Sequence, residues 1–168
     1  MAEYLFFWGH RPERDGSVGK GCLSQWWPAS FEVDGLIFAT AEHYMMWRKA
    51  MLFGDESIAE QVLRAGHPKI AKDLGRGVAG FDSAVWERER YEIVVAGNAA
   101  KFGAHPDLRR FLLGTGDRVL VEASPLDAVW GIGLAADHPD AANPDLWPGL
   151  NLLGKSLMDV RAALRQAG

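Results

Sequence analysis

The chain has 168 residues, enough for one domain with a substantial core and short for two. Lys and Arg number 18 against 22 Asp and Glu, a formal charge of −4, which argues against a protein that grips nucleic acid non-specifically through a basic footprint. Its single cysteine, Cys22, excludes an internal disulfide and a cysteine-rich zinc site and suits a cytoplasmic location. No pair among its five His has helical metal-ligand spacing, so neither a metal nor another cofactor is expected. No run approaches a membrane span, and the apolar stretch at residues 4–8 is too short for a signal segment. Seven Trp is a high number, and flat indole faces suit a planar ligand.

In chain order, Tyr4-Leu5-Phe6-Phe7-Trp8 reads as a short buried strand stopped by Gly9. Residues 10–21, with three Gly, one Pro and five charges, read as a mobile loop. Phe31-Glu32-Val33 and Leu36-Ile37-Phe38 flank Asp34-Gly35, a strong hairpin signal. Thr40 is placed to cap a helix running to about Gly54. Glu42 falls in its first turn, complementing the helix dipole. Lys49 follows Glu42 by seven residues, so both groups line one stripe of the helix, roughly 10 Å apart along its axis. His43, Met45, Met46 and Trp47 crowd the same turns.

A second helix is expected over residues 55–65, with Gly66 as a left-handed stop. Pro68 starts a third, ending at Leu74 before Gly75-Arg76-Gly77. Asp82 caps the longest helix, about 83–102, with Phe81 and Trp86 at the positions of a hydrophobic staple. Arg90, Ile93, Gly97 and Lys101 continue the Trp86 face, with Asn98 beside them. Pro106 to Gly114 is a further helix, Arg118–Glu122 a strand, and Val129–Gly133 a final short strand. Residues 135–150 hold three Pro and read as loop. Leu153, Leu157, Val160 and Leu164 mark the last helix, with Asn151 as candidate cap. The expected fold is α+β and helix-dominated, one domain over residues 1–168 with about six helices around a few short strands.

Neither Gly114-Thr115-Gly116 nor Gly131-Ile132-Gly133 forms a dinucleotide fingerprint, and there is no P-loop or nucleophile elbow. What remains is a set of carboxylates beside aromatics (Glu42, and Asp127 three before Trp130), cations on helix faces (Lys49, Arg76, Lys101), and Asn151 in a Gly-rich turn. Aromatic faces suit a base, cations a phosphate, and carboxylates a developing positive charge.

Thr40-Ala41-Glu42-His43-Tyr44 through Lys49, then Leu74-Gly75-Arg76, Trp86, Lys101-Phe102, Asp127-Ala128-Val129-Trp130-Gly131 and Gly149 to Lys155 resemble, in that order, the YbiA-like or NADAR family. The resemblance implies a small helix-rich single domain and an N-glycosidase. Substrates in that family are early pyrimidine intermediates of riboflavin synthesis or ADP-ribose attached to guanine. It implies site roles for Glu42, Lys49, Trp86, Asp127 and Trp130, with His43, Arg76, Lys101 and Asn151 as candidate ligand contacts. The chain departs from the family at Leu23-Ser24-Gln25-Trp26, where many relatives have Ser-Asn-Phe, and at Ile132, where some carry an acid.

Cleaving an N-glycosidic bond passes through an oxocarbenium-like sugar, and two carboxylates in different surroundings can divide its stabilisation and the proton transfers. The expectation is that Glu42 acts next to the sugar while Asp127 assists or orients. The dull readings are a helix-terminal charge for Glu42 and a turn cap for Asp127. Lys49 has three readings: a phosphate clamp, a Schiff-base amine, or a solvated charge. The expected ligand is a free small nucleotide, or ADP-ribosylated guanine in nucleic acid, with no membrane and no obligate protein partner. The alternative is a non-catalytic module that binds ADP-ribose or a related nucleotide.

Overall fold

The computed structural model describes residues 1–168. The fold is α+β and helix-dominated, with six α-helices and four short strands. Its contacts group into two compact units, Gln25–His105 and a second made of Met1–Ser24 with Pro106–Gly168.

The first strand, β1 (Tyr4–Phe7), belongs to the other unit, and the Gln25–His105 unit opens with a hairpin. Strands β2 (Phe31–Val33) and β3 (Leu36–Phe38) pair antiparallel, with Phe31 opposite Phe38 and Val33 opposite Leu36. Asp34 and Gly35 both take positive φ, 50° and 83°, as a two-residue hairpin loop requires. The hairpin feeds α1 (Ala41–Leu52), where the Thr40 hydroxyl accepts from His43 N at 3.2 Å. This satisfies one of the orphan amides of the first turn. Asp55 caps α2 (Glu56–Arg64) through Ile58 N at 3.1 Å, and its second oxygen accepts from Ala79 N at 2.8 Å. These backbone bonds hold the Asp55 carboxyl below its ordinary pKa.

Two expected helix ends differ. Gly66 is not in the left-handed region; α2 ends at Ala65 in extended conformation, and the chain runs on to His67, whose ring accepts from Lys69 N. Helix α3 (Pro68–Arg76) continues through Gly75 and Arg76 instead of stopping at Leu74. Gly75 is there for packing: a Cβ on it would collide with the Met46 sulfur of α1. Helix α4 (Ser83–Ala104) is capped by Asp82 through Ala84 N and Val85 N at 2.9 and 3.3 Å. Between these helices lie Ala50, Ala59 and Val78, with Trp47, Phe53 and Ile58 packed against them. Phe38 joins the hairpin to α1, its ring 5.0 Å from Tyr44 and 5.4 Å from Trp47. Burying a side chain of this size contributes about 1.5–3 kcal/mol relative to leaving it in water.

In the other unit, β1 (Tyr4–Phe7) pairs parallel with β4 (Val119–Glu122), Tyr4 opposite Val119 and Phe7 opposite Glu122. Helix α5 (Pro106–Gly114) precedes β4, and α6 (Leu152–Ala167) closes the chain and packs on that strand. The core here is Val121, Ile132 and Ala141, covered by Tyr4, Phe6, Val119, Leu134 and Trp147.

The strand expected at Val129–Gly133 does not form. Asp127 Oδ1 accepts from Val129 N and Trp130 N, both at 2.9 Å, and winds the segment into a turn, a local alternative to ladder pairing. Asn151 stands at the cap position of α6, but with φ 54° and no side-chain cap bond. Its amide works on β4 instead, donating to Leu120 O and accepting from Glu122 N, each at 3.0 Å. The segment 10–21 contains its own turn bonds, Glu13 N to Ser17 O and Gly16 N to Glu13 O, and runs into a 3-10 turn at Lys20–Leu23.

Candidate active site

In the Gln25–His105 unit the chemistry gathers around α1. Glu42 is 4% exposed although it sits in the first turn, where a carboxylate commonly faces water. Its backbone N–H donates to Gln25 O at 3.0 Å. Seven residues on, Lys49 is half-buried, with its ammonium 4.7 Å from the centre of the Phe81 ring and 5.5 Å from that of Trp86. Burial pushes the Lys49 pKa down, the Glu42 carboxylate pulls it back up, and the Arg76 guanidinium lowers it further. Removing water from an amine disfavours its charged form, and the two rings return part of that through their π faces.

Phe81 leans on Phe53 at 5.3 Å while its face is turned to Lys49. The two residues at the staple positions of α4 therefore both serve as walls for the lysine. Arg76 is exposed at the end of α3 and pairs with Asp73 at 3.3 Å, a surface contact of little worth in stability.

Two expected ligand contacts in this unit are placed in the interior. His43 is 1% exposed and spends both ring nitrogens on the fold. The Ala65 carbonyl accepts from Nε2 at 2.9 Å, which puts the ring proton there, and Nδ1 lies 2.8 Å from the Thr40 hydroxyl. Burial holds this imidazole below its ordinary pKa. Lys101 is fully buried within the packed face of α4, its ammonium 5.0 Å from the Phe102 ring centre.

Sequence reasoning passed over a third pair. Asn98, fully buried on α4, donates from Nδ2 to Gln25 Oε1 at 2.8 Å and to Val94 O at 3.0 Å, while its Oδ1 has no hydrogen-bond partner. Gln25 thus links Asn98 to the backbone of Glu42. The signal available in the sequence was the departure at Leu23-Ser24-Gln25-Trp26, which puts a longer amide at this point.

In the other unit, Asp127 and Trp130 are both half-buried and joined through the Asp127 turn. Ile132 N donates to Glu122 O and Gly133 N to Asp127 O, at 2.9 and 3.1 Å, which fixes the Trp130 backbone close to the end of β4. Asn151, expected as a ligand contact, has both polar ends of its side chain bonded to β4, where the amide clamps the strand.

Residues 6–165 match the family model described as the NADAR domain. The chain belongs to the NADAR domain family. That single domain model takes in residues of both units. A relative from Acanthamoeba polyphaga mimivirus, named an N-glycosidase, is 40% identical over 98% of each chain. N-glycosidase YbiA of Escherichia coli K12 is 34% identical over 82% of this chain and 76% of its own. The NMR structure of E. coli YbiA superposes with a TM-score of 0.78 at 28% identity, covering 99% of this chain and 88% of that one. A relative from Nostoc punctiforme, also named an N-glycosidase, is 36% identical over 86% of both chains. These relatives place the chain among glycosidase enzymes. No helix of this NADAR protein is long and apolar enough to cross a membrane.

Proposed function

We propose that this NADAR protein hydrolyses the base–ribose bond of a phosphorylated nucleotide-like substrate, either an early ribosylamino-pyrimidine phosphate of riboflavin synthesis or ADP-ribose attached to guanine. The observation that carries this reading is the buried Glu42 carboxylate acting electrostatically on Lys49, itself walled by Phe81 and Trp86.

As the bond to the base breaks, its electron pair leaves with the base and positive charge grows on C1′. A carboxylate held out of water is a stronger counter-charge than one on the surface, and that task is assigned to Glu42. Lys49 is assigned the amine that bonds to C1′ and gives up a proton; the C1′–O4′ bond then breaks, O4′ taking a proton as the ring opens to an imine, and water adds to that imine and releases the sugar aldehyde and the free amine. The lowered Lys49 pKa raises the share of neutral, nucleophilic amine. Trp86 offers a face for the base, a contact worth about 1–3 kcal/mol. Arg76, an exposed cation acting on Lys49, is assigned to the phosphate-bearing part of the ligand. In the other unit, Trp130 is proposed as an aromatic ligand contact, positioned by Asp127 through the turn amides.

Incubation of the protein with a ribosylamino-pyrimidine phosphate and, separately, with an ADP-ribosylated guanine oligonucleotide tests the reading. Free base from at least one of them is expected, and release from neither contradicts the proposal.

A further inference from the structure

A cleft of about 550 Å³ lies wholly within the N-terminal part of the Met1–Ser24 segment, walled by Trp8, His10, Arg11, Glu13, Lys20 and Gly21. None of the candidate active-site residues lines it. Three features set it apart from an ordinary loop surface. Trp8 is 56% exposed, an indole left largely in water directly after β1. Arg11 and Lys20 have no carboxylate within ion-pair distance, although acids outnumber bases in the chain. And the walls are built closely: Gly21 presses on the Arg11 backbone carbonyl, where a Cβ would collide, and the Glu13 side chain lies against Gly19 in the same way. Asp15 pins the loop tip by accepting from Ser17 N at 2.9 Å and Ser17 Oγ at 2.6 Å.

We infer that this cleft is a binding site for a ribose phosphate unit. Two unpaired cations suit a phosphoryl group, with the Arg11 fork able to take two of its oxygens. One carboxylate among them, Glu13, is wrong for a bare anion but right for accepting hydrogen bonds from ribose hydroxyls. The exposed Trp8 face covers the sugar or an attached ring. Binding here is independent of which bond Glu42 attacks, and it is measured without turnover.

The test is NMR titration of the whole chain with ribose 5-phosphate, ribose and inorganic phosphate, following the Trp8 indole N–H, assigned with Trp8→Phe. Ribose 5-phosphate is expected to shift this resonance saturably and at least about tenfold more tightly than ribose, the factor expected from losing one charged contact. Arg11→Ala combined with Lys20→Ala is expected to weaken it by a similar factor or more, the other six indole resonances reporting that the fold is intact. Glu13→Gln is expected to weaken ribose 5-phosphate and leave inorganic phosphate unchanged. A Trp8 resonance that does not move, a shift unaffected by the double substitution, or inorganic phosphate binding as tightly as ribose 5-phosphate would each overturn the inference.

Discussion

The Lys49 ammonium stands 5.5 Å from the centre of the Trp86 ring, so the end of α1 and the start of α4 meet around one amine. If that amine forms the covalent bond to C1′, reduction with borohydride during turnover traps it. The expected result is a sugar adduct on the peptide containing Lys49. Lys49→Arg keeps the charge and loses the reactivity, and is expected to lower turnover by at least about a hundredfold, the scale for removing a group that acts in the transition state. Near-normal turnover by Lys49→Arg, with no adduct in the native protein, excludes the covalent role and leaves the phosphate clamp or the solvated charge.

Arg76 adds to burial in lowering the pH at which this amine becomes neutral. Its guanidinium lowers the Lys49 pKa, so Arg76→Ala is expected to raise it toward the ordinary 10.5. The rise in kcat/KM that accompanies Lys49 deprotonation then moves to higher pH. The displacement shrinks at high salt, because Arg76 is exposed and its field is screened over about 10 Å at 0.1 M. A limb that stays in place excludes the amine from the rate.

His43 makes the fold sensitive to acid. Its folded pKa lies below the ordinary 6.5, so the unfolded chain binds a proton more readily. The contribution is therefore complete above 6.5 and is lost as pH falls through that value toward the folded one. Urea unfolding midpoints are expected to drop between about pH 7 and pH 5 more steeply in the native chain than in His43→Gln. Equal slopes contradict this.

Gly75→Ala sets two effects against each other. Helix propensity favours Ala by about 1 kcal/mol, while overpacking a close contact costs about 1–3 kcal/mol. The Met46 sulfur lies where the new methyl would go, in a buried helix contact, so packing is expected to win and the urea midpoint to fall. A stabilised variant shows that Met46 moves aside freely.

What could be read in advance was local. Asp34-Gly35 announces its hairpin, and Thr40, Asp55 and Asp82 announce their helices, because a turn type or a cap is decided within three or four residues. Gly75 was misread as a stop since only its neighbour across the helix contact, Met46, explains it. Asn151 lay at the right boundary, but its partners Leu120 and Glu122 are about thirty residues away, beyond any local pattern. The Val129–Gly133 strand failed because one carboxylate, Asp127, outbid the ladder for two amides. At the site, the seven-residue interval from Glu42 to Lys49 was visible as a helical stripe. The second role of Phe81 and the Asn98–Gln25 link, 73 residues apart, depend on tertiary contact and leave no periodic trace. The second partner of His43, Ala65, is 22 residues on and equally beyond a local pattern.

Under the proposed mechanism, the buried Glu42 carboxylate carries the bond cleavage. Glu42→Gln keeps the shape and removes the charge, and its measurement is release of free base under saturating substrate, alongside substrate affinity. Release is expected to fall by about a hundredfold or more while affinity changes by less than about tenfold, the pattern of an interaction made in the transition state. Base release by Glu42→Gln at the native rate would contradict it.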